Sequence, residues 1–110
     1  YDRDWIEVNG VRHEHSLSVC SLPNLPPAAW TTAHFEALSA SDFSPWAQSG
    51  AELVLFGSGE KLRFAKPQWL KDLIANGIGV ETMDTAAACR TYNILASEGR
   101  KVVALLLIES

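Results

Sequence analysis

The segment Gly77–Arg100 constrains the fold of this 110-residue chain more strongly than any other segment. Its pattern predicts a strand over residues 78–83, a tight capped turn, and a helix over residues 85–98. The apolar run Val102–Ile108 follows directly and is typical of a strand that is buried on both faces. A strand, a helix and a second strand in this order indicate a parallel pair of strands joined by a crossover helix.

The residues before this segment carry the same pattern. The short apolar run Leu53–Phe56 ends in a glycine turn and predicts a buried strand. Pro67 is placed to open the next helix at its first position, and Gly77 is placed to end it. These signals predict the order β-α-β-α-β across residues 53–108, with Leu62–Phe64 as a small extra strand.

The N-terminal part predicts a β-hairpin that extends or covers the main sheet. Asn9-Gly10 favours a type I′ turn, because both central residues of that turn need a positive φ. Residues 5–8 are predicted to form the first strand, and the alternation over residues 11–19 predicts the second. Prolines at positions 23, 26 and 27 then exclude regular structure in that segment.

The pattern between the hairpin and the regular half is weaker. Residues 30–38 fit either a strand or a helical turn. A short helix is predicted to begin near Asp42, which leaves Pro45 in its first turn, and to end at Gly50.

The composition indicates one globular domain over residues 1–110, since 47% of the residues are hydrophobic and 20% are charged. The net charge of -4 and the scattered basic residues argue against a nucleic-acid partner. No apolar run approaches the roughly 20 residues of a membrane-spanning helix, so membrane insertion is not expected. Cys20 and Cys89 are expected to be reduced thiols, which favours a cytoplasmic location. The chain begins with Tyr1 rather than Met, so a targeting segment before it is left open.

Several motifs together resemble one family of small domains of unknown function. Its relatives include the mitochondrial complex I assembly factor 3 and the adipogenesis-associated domain protein, and the chain looks most like the bacterial stand-alone members. The resemblance spans nearly the whole chain and is specific in its second half. The residues that carry it are Val8-Asn9-Gly10, Gly57-Ser58-Gly59, Gly77–Glu81, Met83-Asp84-Thr85, Ala88–Asn93 and Glu98-Gly99-Arg100.

The resemblance implies an α/β fold with three layers around a mixed, partly parallel sheet, preceded by the hairpin. It also implies that the eukaryotic relative acts as an assembly factor through protein contacts. The family has no established catalytic residues, so the resemblance implies none for this chain.

One candidate ligand site lies at the predicted strand ends. Gly57 and Gly59 follow one strand, and Asp84 and Thr85 follow the next, so all four are expected at the carboxyl edge of the sheet. The start of the following helix favours an anionic ligand there. Alternatively, Asp84 or Thr85 simply caps the helix and the glycines permit a tight turn, because the spacing fits no nucleotide-binding loop.

Glu81 and Arg90 complete the candidate ligand-binding set. A carboxylate inside a strand that is covered on both faces is costly unless it is paired, and Arg90 or Arg100 is a candidate partner. A raised pKa would make Glu81 a candidate acid or base. An ion pair of structural value, or an edge position near solvent, is the alternative.

The outer side of the last helix is a candidate interaction surface. Arg90, Asn93 and Ile94 lie off its apolar stripe, and Ile94 either joins a contact patch or is simply exposed. Cys89 lies on the apolar stripe and is expected in the core. His13 and His15 point the same way along a strand, but no third ligand completes a metal site, so no metal is expected.

The sequence therefore favours a non-catalytic protein-interaction or assembly-type module with a protein partner and no cofactor. The rival is a small-molecule binding protein or an enzyme that uses the strand-end edge for an anionic ligand. Partner, substrate and oligomeric state are beyond what the pattern predicts.

Overall fold

The structure, a computed structural model, describes residues 6–8, 11–23, 26–31 and 34–109. Short 3₁₀ helices lie at Phe35–Ala37, Ala40–Asp42, Ser44–Trp46 and Pro67–Trp69. The strands and α-helices of the described residues are, in chain order, β1 (Ile6–Val8), β2 (Val11–His13), β3 (Leu17–Cys20), β4 (Ala28–Ala29), β5 (Leu53–Gly57), α1 (Lys71–Ala75), β6 (Gly79–Met83), α2 (Thr85–Ser97) and β7 (Val102–Leu106).

Five of these strands form one mixed sheet in the spatial order β4-β3-β7-β5-β6. β5 pairs in parallel with both β6 and β7, whereas β3 runs antiparallel to β7. The predicted β-α-β-α-β order is confirmed, β7 lies in the middle of the sheet as its apolar run predicts, and β6 lies at one edge. The hairpin strands β1 and β2 form a separate two-stranded sheet.

β7 supplies side chains to both faces of the sheet, because successive residues of a strand point in opposite directions. This alternation continues to residue 108. The face that packs against α2 receives Val102, Ala104, Leu106 and Ile108, and the opposite face receives Val103, Leu105 and Leu107.

Two different layers cover these faces. On one side, α2 packs on the sheet, and Ile6 of the hairpin is buried in the same cluster. On the other side, α1 and the 3₁₀ helices lie over an aromatic cluster in which Phe43 stacks on Trp69 at 5.8 Å and meets Phe56 edge-on at 5.4 Å, measured between ring centres. The predicted three-layer arrangement is confirmed, and the hairpin covers the sheet rather than extending it.

The predicted second hairpin strand is broken in two. β2 ends at His13 and β3 begins at Leu17, because Ser16 is bonded to the chain just after β7: its hydroxyl accepts the Ile108 N–H at 2.9 Å and donates to Ile108 O at 3.3 Å. The chain thus leaves one sheet and enters the other. The predicted Asn9-Gly10 turn lies outside the described residues.

The prediction of a small strand at Leu62–Phe64 is wrong. The Arg63 N–H donates to the Ser58 hydroxyl at 2.9 Å, and no neighbouring strand is available to pair with it among the described residues. Pro67 opens a 3₁₀ turn that leads into α1. Gly77, at φ +73°, ends that helix as predicted.

The helix predicted to begin near Asp42 is also different. Two 3₁₀ helices, Ala40–Asp42 and Ser44–Trp46, replace it, and in the second the Trp46 and Ala47 N–H groups donate to carbonyl oxygens three residues back, at 3.2 and 3.0 Å. Of the helices that the structure describes, none is long and apolar enough to cross a membrane.

A substitution at Gly57 tests how closely β5 and α2 approach each other. A Cβ built on Gly57 would lie 2.9 Å from Thr85 Cα, which is backbone and has little room to move. We expect Gly57→Ala to lower the free energy of unfolding by about 1–3 kcal/mol, because the helix must shift. Chemical denaturation measures this loss.

Gly79→Ala is the matched control, since Gly79 lies on the neighbouring strand and its added Cβ would meet Leu53 Cδ1 at an ordinary 3.5 Å. That variant should change stability by no more than about 0.5 kcal/mol. An equal loss in the two variants would show that the β5–α2 contact is not unusually close.

Candidate functional site

The strand-end edge brings four candidate ligand-binding residues together, as predicted. Gly57 and Met83 are paired at the ends of β5 and β6, and Thr85 begins α2 beside them. The Thr85 hydroxyl donates to Leu107 O at 2.8 Å and accepts the Gly59 N–H at 2.8 Å, while the Thr85 N–H donates to Gly59 O at 2.8 Å. The polar groups of Gly59 and Thr85 are therefore bonded to the chain itself.

Ser58 stabilises the same turn through hydrogen bonds made on its buried side. Its hydroxyl donates to Lys61 O at 2.7 Å and accepts the Arg63 N–H at 2.9 Å. Its carbonyl oxygen accepts two bonds from the Arg63 guanidinium, at 2.7 Å from Nη2 and 3.2 Å from Nε. Ser58 is fully buried, so this loop is held by its own side chains.

Asp84 is the N-cap of α2. Its Oδ1 accepts the Ala87 N–H at 2.8 Å, which uses one of the free amides at the helix start. The edge thus assembles Gly57, Gly59, Asp84 and Thr85 in one place, and the contacts described there are made within the chain. Binding of a ligand by these residues stays a prediction.

Glu81 and Arg90 lie apart from this edge. Glu81 is exposed in the middle of β6, beside Leu55 of β5, which fits the edge position that the sequence left open. Arg100 pairs with Glu52 rather than with Glu81. Arg90 is exposed on α2, so the six candidate ligand-binding residues do not form one site.

A polar clamp that the sequence did not predict adjoins the strand ends. Glu109 accepts the Phe35 N–H at 2.8 Å and pairs with Arg63, whose guanidinium carbon lies 4.4 Å from the centre of the Phe35 ring. His34 Nδ1 lies 3.7 Å from the same carboxylate. These residues are far apart in the chain, so no local pattern signals the clamp.

The clamp controls the ionisation of Glu109. Partial burial acts to raise the pKa of Glu109, but the hydrogen bonds from Phe35 and Arg63 outweigh it, so the pKa lies below its ordinary value of 4.5. The carboxylate is therefore held in its charged form, with one side chain oxygen on each of two partners.

An open groove runs between the hairpin and α2 on the other side of the sheet. Its deeper part has a volume of about 260 Å³ and is walled by Ile6, Tyr92 and Asn93, among others. A shallower part continues to Arg90. Ile94 lies beside them on the helix with 59% of its surface exposed. The three candidate interaction residues thus share one surface.

Cys89 lines this groove but is not poised for chemistry. Burial raises the pKa of the Cys89 thiol to about 11, so the thiol is protonated at neutral pH. Burial also raises the pKa of Tyr92. The described residues hold no cluster of three or more His, Cys, Asp or Glu side chains that would bind a metal ion. The Cys89 thiol and the Tyr92 hydroxyl are thus both protonated at neutral pH.

Three comparisons place this geometry among known proteins. A family model described as "Protein of unknown function (DUF498/DUF598)" matches residues 1–107. The NADH dehydrogenase (ubiquinone) 1 alpha subcomplex assembly factor 3 of Bos taurus is 30% identical over 102 residues, which cover 91% of this chain and 54% of that protein. The chain therefore spans about half the length of this relative.

Solved structures agree over a longer part of both chains. A crystal structure of a Bordetella parapertussis protein superposes with a TM-score of 0.89 at 40% identity and covers 99% of this chain and 92% of that one. A solution structure of a Bordetella pertussis protein, described as an Mth938-like domain, gives a TM-score of 0.80 at 33% identity and covers 96% of this chain and 80% of that one.

Removal of the carboxylate at Glu109 tests the clamp. We expect Glu109→Gln to lower the free energy of unfolding by about 1–3 kcal/mol at neutral pH, because it weakens bonds to Phe35 and Arg63. The folded pKa is depressed, so this contribution is present above pH 4.5 and is lost as the pH falls through the folded pKa. Urea denaturation at neutral and acidic pH measures the difference.

Glu36→Gln removes the same charge from an exposed position one residue after Phe35 and is the control. It should cost less than about 0.5 kcal/mol at neutral pH. The clamp has no such role if Glu109→Gln loses the same stability at both pH values, or if the control loses as much.

The thiol of Cys89 is expected to resist alkylation. In a Cys20→Ser background, which leaves one thiol, iodoacetamide should modify the folded protein at about pH 8 roughly a hundredfold more slowly than it modifies an unperturbed thiol. The same protein unfolded in urea should react at the ordinary rate. Fast alkylation of the folded protein would instead indicate an activated nucleophile in the groove.

Proposed function

The chain belongs to the family of proteins of unknown function DUF498/DUF598, and we propose that it acts as a non-catalytic protein-interaction or assembly-type module. The bovine relative is named as an assembly factor, which supports this role by analogy. Since this chain spans about half of that protein, the partners of the two need not be the same.

The observation that carries the proposal is the outer surface of α2. Asn93 and Ile94 stand three and four residues after Arg90, so the three side chains project from one side of the helix. This side offers a charge, an amide and an exposed apolar side chain next to an open groove. A mixed surface of this kind is typical of contacts between proteins.

The small-molecule alternative has less support from the contacts. At the strand ends, Gly59 and Thr85 bond to each other, and Asp84 caps α2. A ligand there would have to break these bonds or add to them. The groove along α2 needs no such rearrangement.

We also propose one domain over residues 1–110 and a cytoplasmic location. Both cysteines are free thiols, which supports a reducing compartment.

Ile94→Asp tests the proposed surface. The substitution places a charge in the exposed apolar part of the contact, so we expect proteins that the wild-type chain captures from a lysate of its source organism to be depleted at least about tenfold with the variant. Quantitative mass spectrometry of the captured proteins measures this depletion, and thermal denaturation checks that the variant folds.

Ile74→Asp is the matched control. Ile74 has 61% of its surface exposed and lies on α1, on the opposite side of the sheet from α2. The control should retain the partners that Ile94→Asp loses. The proposal fails if both variants capture the same proteins as the wild type, or if a metabolite shifts the melting temperature of the wild type but not of Asp84→Ala.

A further inference from the structure

The open side of β6 is a second surface, one that the described residues leave without a strand partner. β5 pairs with β6 along all of Gly79–Met83 in an unbroken register, and none of the strands the structure describes pairs with the other side. The strand contains no proline and no bulge, two of the devices that protect an edge, and Glu81 is its only charged residue. Such a strand is a template with which an extended chain can pair.

Hydrogen bonds at the two ends of β6 show which of its residues face β5. The Gly79 N–H donates to Glu52 O at 3.2 Å, and Met83 O accepts the Ser58 N–H at 2.8 Å. Residues of a parallel strand bond alternately to the two sides. The odd-numbered residues of β6 therefore bond to β5.

Val80 and Thr82 are the residues that direct their backbone groups outward. Each has one N–H and one C=O pointing to the open edge, which makes four groups for an incoming strand to satisfy. Only an extended polypeptide presents donors and acceptors at the matching spacing. The backbone of β6 thus favours an extended polypeptide segment as the binding partner at this edge.

Glu81 favours a positive charge on the polypeptide segment that pairs with β6. Its side chain is exposed and stands between the two outward residues. The residue of an added strand that lies directly opposite Glu81 has its side chain on the same face of the sheet, where opposite charges stabilise the pairing and like charges destabilise it. A Lys or Arg at that position is the complement.

The same carboxylate disfavours a second copy of the chain. In an antiparallel pair of β6 strands related by a twofold axis, both outward residues take part only if Val80 lies opposite Thr82. That register places Glu81 opposite the Glu81 of the other copy. The two carboxylates would repel each other at the centre of the contact.

We propose that the open edge of β6 binds an extended segment of another protein that carries a Lys or Arg opposite Glu81. This edge is separate from the outer surface of α2, and the proposal goes beyond the assembly role because it names the mode of binding and the charge of the partner. It stands even if the α2 surface has no partner.

Two synthetic peptides test this inference by nuclear magnetic resonance. Isotope-labelled protein is titrated with acetyl-Thr-Val-Lys-Val-Thr-amide and with the same peptide carrying Glu at its centre. We expect the Lys peptide to shift the amide signals of Val80 and Thr82 in a saturable manner, and the Glu peptide to bind at least about threefold more weakly. Glu81→Lys should reverse this preference.

Two variants separate this outcome from other causes. Glu98→Lys changes the same charge at an exposed position at the end of α2 and should keep the preference for the Lys peptide. Ile94→Asp should also keep it, so a failure of the α2 surface does not affect this test. The proposal is overturned if neither peptide shifts Val80 and Thr82, if both peptides bind equally, or if the wild type self-associates through these amides.

Discussion

The apolar run Val102–Ile108 is the constraint on which the rest of the structure depends. Its first five residues form β7, which is hydrogen-bonded to β5 on one side and to β3 on the other, and every side chain of the run is at least 92% buried. A strand in this position needs an apolar cover on both faces. The aromatic cluster and α2 provide these two covers, so the three layers follow from one segment.

The end of the same run also closes the strand-end edge. The Leu107 N–H donates to Gly57 O at 2.9 Å, and Leu107 O accepts the Thr85 hydroxyl at 2.8 Å. The place where an open α/β sheet usually binds its ligand is thereby tied to the core. This is the physical reason to look for function on the outer surfaces, at α2 and at the edge strand β6.

Local signals were sufficient for the strand–helix order of residues 53–108, but not for the segment at Leu62–Phe64, where the predicted strand is absent. The cap at Asp84 and the positive φ at Gly77 follow from single residues, and the strand–helix order follows from apolar periodicity. Contacts between distant residues were not predictable. The bond from Ser16 to Ile108, which breaks the N-terminal strand, joins positions 92 residues apart, and the clamp at Glu109 is of the same kind.

For the candidate site residues, too, local signals predicted the position in the chain but not the contacts with distant residues. The sequence placed Gly59 and Thr85 at one edge correctly, because parallel neighbours end together. It could not show that their polar groups bond to each other. The sequence alone predicts a covered and therefore costly Glu81, because the position of its strand in the sheet depends on pairing partners that no local pattern specifies.

Amide hydrogen exchange on the protein alone tests the central claim, which is that the strand-end edge is closed by the chain while the β6 edge is open. The account predicts that the amides of Gly59 and Thr85 exchange only on global unfolding, whereas those of Val80 and Thr82 exchange much faster. Equally fast exchange at Gly59 and Thr85 would contradict it and return the strand ends to consideration as a ligand site.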